Sequence, residues 1–169
     1  DGDEVRVVSP PPDFVNVPIP VKADGKAYTP AELRDLAKTS EDPVLRLAAI
    51  RALRRDDSPA ARAVLGELIV DPKTPQDLRV EAAKALAKPP HRDASPDELV
   101  ALLASPDLPA AVRREVADGV TKLRDRGAWM AEIAGQMGKE SDPEVRKLLF
   151  DAVQRSAGDP AAKLELLAV

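Results

Sequence analysis

The chain has 169 residues, 44% hydrophobic and 32% charged, a balance that supports a folded core and is too apolar for disorder. Its net charge of −4 argues against a general nucleic-acid binder, which carries a net basic face, and the lack of cysteine excludes disulfides and thiolate metal sites. With only Phe14, Tyr28, Trp129 and Phe150 aromatic, the core has to be built from Leu, Val, Ile and Ala.

Residues 1–28 come first and read as an extended, proline-rich arm. In "VRVVSPPPDFVNVPIPV" the apolar residues Val15, Val17, Ile19 and Val21 alternate with Asn16, Pro18 and Pro20, which is the period of an edge strand. Asp24 and Gly25 in "KADGKAY" carry a hairpin-turn signal. The arm is expected to pack along the first helical elements and shield their open end, with a tether or docking strand as the functional alternative.

From residue 29 onward the sequence repeats. "TPAELRDLAK" has the start signature of a helix, Thr29 before Pro30, and is followed by "DPVLRLAAIRAL" from Asp42. "SPAARAVLGELIV" from Ser58 is followed by "TPQDLRVEAAKAL" from Thr74. "SPDELVALLAS" from Ser95 is followed by "LPAAVRREVADGV" from Leu108. "GAWMAEIAGQMGK" from Gly127 is followed by "DPEVRKLLFDAV" from Asp142. The second member of each pair carries an arginine, at Arg46, Arg79, Arg113 and Arg146, at spacings of 33, 34 and 33 residues.

An apolar residue precedes each arginine, and small or apolar residues recur four, seven and eight positions after it, as on one face of a helix. Pro43, Pro75, Pro109 and Pro143 stand at or near the first turn, with Asp42, Thr74 and Asp142 as expected N-caps. Neither helix of a pair can bury its apolar stripe alone, so stacking of pairs is required. The expected architecture is therefore all-α, an α-solenoid of about four helix-turn-helix repeats near 29–57, 58–94, 95–126 and 127–158. A partial unit at 159–169, "DPAAKLELLAV", is either a cap or the point where the chain was cut. The start at Asp1 rather than Met reads as processing or truncation of something longer.

The Asp-Pro-x-Val-Arg pattern of the second helices resembles the HEAT-like repeat family, in particular the short bacterial variety named after phycobilisome lyases, over residues 29–169. The resemblance implies a ladder in which Arg46, Arg79, Arg113 and Arg146 reach aspartates in the turns of neighbouring repeats. No aspartate precedes Pro75 or Pro109, so the ladder is either interrupted there or uses Asp77. The resemblance also implies an alternative function, as a subunit of a chromophore-attaching lyase or other enzyme complex whose chemistry comes from a partner.

Convergent chemistry is scarce. The single histidine, His91 in "KPPHRDAS", reads as a solvated loop residue, and no catalytic residue, metal site or cofactor is assigned. "SEDP", "DPKTPQD" and "ESDP" lack the alternating oxygen ligands and glycine of a calcium loop and read as helix caps. Trp129, with Met130, Ile133 and Met137, reads as core filler between repeats, with an adaptable partner site as the alternative.

No run nears the roughly 18–20 apolar residues that span a bilayer, so the chain reads as soluble, in a compartment left open. The candidate surface is the stripe of the second helices two, six and nine positions after the leading apolar residue, taken to point away from the core. Its partner-binding candidates are Leu47, Arg51, Arg54, Val80, Lys84, Arg114 and Lys147. They describe a non-catalytic scaffold presenting its inner face to a protein partner with an acidic surface, without nucleic acid or membrane insertion.

Overall fold

In the computed structural model, residues 19–105, 107–123 and 127–156 are described. Residues 1–18 of the arm and the partial unit 159–169 lie outside them. Residues 19–28 turn back on themselves through Gly25 at φ 79°, with Val21 and Ala27 bridged antiparallel. That φ lies in the left-handed region glycine occupies without a Cβ penalty. Lys22 ties this turn to the first helix through an ion pair to Glu32 at 2.7 Å and stacks 5.6 Å from the Tyr28 ring centre.

Four helix pairs follow, α1 (Pro30–Thr39) with α2 (Pro43–Leu53), α3 (Pro59–Val70) with α4 (Gln76–Leu86), α6 (Pro96–Leu103) with α7 (Ala110–Thr121), and α8 (Met130–Lys139) with α9 (Pro143–Ser156). A four-residue helix, α5 (His91–Ala94), stands between the second and third pairs, and a 3-10 turn (Gly127–Trp129) leads into α8.

The start signals act unevenly. Thr29 forms a reciprocal capping box with Glu32, Ser58 accepts from the Ala61 amide, and Asp42 and Asp142 each accept two amides of the first turn. Thr74 does not cap α4. Pro75 occupies the N-cap position without a side-chain bond, while Thr74 is buried and donates its hydroxyl to Asp71 at 3.3 Å. Pro109 holds the same place before α7, and Ser95 precedes α6 without a capping bond. Pro75 and Pro109 thus sit one position outside their helices, whereas Pro43 and Pro143 start theirs.

The helices form two layers. Each second helix packs on the next, α2 on α4, α4 on α7 and α7 on α9, while in the other layer α1 meets α3 and α6 meets α8 less closely. The more tightly packed layer is that of the second helices, the face expected to be the inner one. The core between the layers is one cluster of aliphatic side chains running from Leu33 and Ile50 through Leu65, Leu86 and Val116 to Leu149 and Ala152. Small residues set the inner spacing. A Cβ added at Gly119 of α7 would lie 2.7 Å from the Ala87 Cβ at the end of α4.

Candidate functional site

The recurrent arginines divide into two kinds. Arg46 donates from Nε to the Ala37 carbonyl at 2.9 Å, Arg79 to Ile69 at 2.8 Å, and Arg146 to Glu140 at 2.9 Å. Each oxygen belongs to the end of the first helix of the same pair, where the last four carbonyls lack intrahelical partners. The aspartate partner implied by resemblance is therefore a main-chain carbonyl in these three pairs, because the side chain folds back over its own turn.

Arg113 differs. Six residues separate Leu103 from Ala110, against three between Thr39 and Pro43, and its guanidinium donates to the Leu108 carbonyl inside that longer turn. It also grips Glu140 of the next pair through Nε at 2.9 Å and Nη2 at 2.8 Å. The hydrogen bond from Arg113 holds the Glu140 carboxyl below its ordinary range.

The proposed surface residues do not all meet. Leu47, Arg51, Val80 and Lys84 line one cleft between α2 and α4, together with Gln76, Asp77 and Glu81, with a volume of about 370 Å³. Leu47 and Val80 are half-buried and rest on the core, so they form a floor rather than projecting from it. Arg51 reaches across the cleft to Glu81 at 2.9 Å, and Lys84 meets the same carboxylate at 3.1 Å. Burial pushes the Glu81 carboxyl up, but the bonds from Arg51 and Lys84 outweigh it and hold it below the usual range.

Arg54 is exposed at the end of α2 and lines a second cleft of about 220 Å³ with Ile19, Arg51, Ala52, Arg55, Pro89 and Pro90. Arg51 belongs to both clefts. Arg114 instead pairs with Asp142 at 2.8 Å and Glu144 at 3.0 Å, and Lys147 is exposed on α9; neither lines either of these two clefts. The Arg114 bond is the largest influence holding Asp142 at about 2.

Two of the four ninth-position residues also depart from the stripe. Ala87 and Thr121 are buried, because Ala87 closes on Gly119 and the Thr121 hydroxyl turns back to the Asp118 carbonyl at 2.7 Å.

Glu81 and Glu115 went unnoticed in the sequence, although both stand two residues after the recurrent arginine of their pair. Glu81 receives the cation five residues after Arg46, and Glu115 lies near the cation in the matching place after Arg79, Lys84. Burial raises the Glu115 carboxyl above its ordinary pKa, against the attraction of Lys84 and Lys88.

His91 corrects the solvated-loop reading. It is fully buried, with Nε2 donating to the Leu53 carbonyl at 2.8 Å, while Nδ1 makes no hydrogen bond. The preceding Pro89–Pro90 bond is cis, and α5 starts at His91 itself, beneath the end of α2. Met130 and Ile133 are fully buried, and the half-buried Trp129 packs on the same core while donating Nε1 to Asp97 at 2.6 Å. Among the described residues no group of His, Asp and Glu side chains converges as metal ligands do. None of the described helices is long and apolar enough to cross a membrane.

The family model described as HEAT repeats matches residues 30–117, which is 88 of the 169 residues. The chain is a HEAT-repeat protein. No curated protein and no solved structure matches it. HEAT repeats generally mediate protein–protein interaction. The match begins at the first residue of α1 and ends inside α7, so it takes in both helices that wall the α2–α4 cleft.

Proposed function

We propose that this HEAT-repeat protein is a non-catalytic scaffold that holds a protein partner in the cleft between α2 and α4. The observation that carries the reading is an apolar floor, Leu47 and Val80, ringed by Arg51, Gln76, Asp77, Glu81 and Lys84. Interfaces are built this way, with a small apolar centre that loses water and a polar rim that fixes register. The rim is held before a partner arrives, since the Arg51–Glu81 pair joins the two walls. A wall that needs no ordering on binding keeps more of the contact energy as affinity.

Lys84 gives the acidic preference. Its side chain is 44% exposed, and an exposed ion pair contributes about 0–1 kcal/mol, so a partner carboxylate can compete for it at little loss. The test is quantitative capture from cells of the source organism with wild-type protein and two variants. Val80→Asp places a charge on the floor, and Lys84→Glu reverses the wall cation that an acidic partner meets. Proteins retained by the wild type and lost from both folded variants support the cleft as the site. A partner retained equally by all three refutes it.

A further inference from the structure

Among the described residues no helix follows α9, and the face it turns outward is apolar. Four residues after the recurrent arginine, Ile50, Ala83 and Ala117 are fully buried, each on a second helix with the next second helix packed on it. Phe150 holds the same place on α9 and is 46% exposed. Val153 is half-buried where Leu53, Leu86 and Val120 are buried, so the open patch follows the register of the array. A stack of helix pairs buries its apolar faces only against a neighbour, and its ends need a cover. We infer that residues 159–169 of this chain are that cover, docking as a helix over Phe150 and Val153 in the place that α3 takes against α1 and α2. The inference is independent of the α2–α4 cleft.

The residues of the segment identify it as the occupant. "DPAAKLELLAV" opens as α3 does in "SPAARAVLGELIV", with a cap residue, Pro, two alanines and a cation. Asp before Pro is also the start of α2 and α9, where Asp42 and Asp142 accept amides of the first turn. In the alignment with α3, Ala162, Leu166 and Val169 fall on Ala61, Leu65 and Leu68, three residues of its buried stripe.

Reach agrees with the assignment. Three residues separate Ser156 from Pro160, the same length of link that joins α1 to α2. Phe150 lies six residues back from Ser156, and Leu166 lies six residues on from Pro160. At 1.5 Å per residue, a helix running back along α9 therefore brings Leu166 level with Phe150, both about 9 Å from the turn.

Hydrogen exchange on the full chain and three variants tests the inference. Amides of residues 163–169 should exchange at least about tenfold more slowly than in a free peptide of the same sequence, the factor expected from burying one large apolar side chain. Phe150→Asp should remove that protection. Leu166→Asp, placed in the segment and not in the array, should remove it too and speed exchange in residues 150–156. Val70→Asp, at a valine 51% exposed on α3, should leave both stretches unchanged. Exchange of 163–169 at the free-peptide rate, or protection that survives either Phe150→Asp or Leu166→Asp, overturns the inference. Protection of 150–156 that grows with protein concentration while 163–169 exchange freely makes a second copy the cover, and the assignment to this segment is overturned.

Discussion

Replacing Gly119 with Ala tests the spacing on which the inner layer depends. In an open helix this change is stabilising by roughly 1 kcal/mol, because alanine loses less backbone freedom on folding. At Gly119 the added Cβ would lie 2.7 Å from the Ala87 Cβ and 3.1 Å from its Cα. Neither atom can rotate away, so α7 has to move off α4. Overpacking of this kind costs about 1–3 kcal/mol, and contact with backbone places it near the top of that range.

The net expectation is a loss of about 2 kcal/mol, or a melting point lower by about 4–8 °C in a domain of this size. Gly66 of α3 is the control, since nothing lies within 4 Å of a Cβ built there. Gly66→Ala should raise the melting point by about 2–4 °C. Thermal unfolding followed by far-ultraviolet circular dichroism reads both signs. A rise at both positions would refute the close approach of α4 and α7.

Three further outcomes follow from the ion pairs and caps. Arg113→Ala removes the grip on Glu140 and the Leu108 carbonyl and should cost about 1–3 kcal/mol in urea unfolding, while Arg146→Ala, at an exposed position, should cost less than about 1 kcal/mol. Glu115→Gln should raise the urea midpoint at pH 7. The folded carboxyl has a raised pKa and binds its proton more tightly than the unfolded one, so its ionisation costs stability above that pKa, and the gain should vanish below about pH 4.5. Glu32 and Asp142 have the opposite sign. Both are held at about 2, Glu32 first by the Lys22 bond and Asp142 first by the Arg114 bond, so their contribution is present above about pH 4 and lost as the pH falls toward 2. An acid titration of wild type against Glu32→Gln and Asp142→Asn should show the variants losing less between those limits.

The helix pairs were legible because proline, arginine and apolar spacing recur in phase, and the described helices fall on those segments. What a single copy could not show was the direction of each long side chain. The resemblance implied that the arginines form a ladder to aspartates in the turns. Three of them instead satisfy helix-end carbonyls, a need that arises from local geometry and leaves no mark in residue type. The surface stripe was half legible for a related reason. An angular offset places Leu47 and Val80 away from their own core, but adjacent second helices press together and half-bury them.

Glu81 carried a readable signal, its place two residues after Arg79, and was missed because each helix was considered alone. His91 gave none. Its burial depends on the chain turning at Pro89 and Pro90 beneath α2, and a short polar linker looks the same whether it turns in or out.

The central claim is that the inner cleft of α2 and α4 receives the partner. Hydrogen exchange of the full chain, alone and with the partner recovered by wild-type but not by Val80→Asp protein, addresses it most directly. Added protection should concentrate in residues 43–54 and 76–87, with α3, α6 and α8 unchanged. Protection confined to α1, α3, α6, α8 or α9, with none gained in α2 and α4, would contradict it.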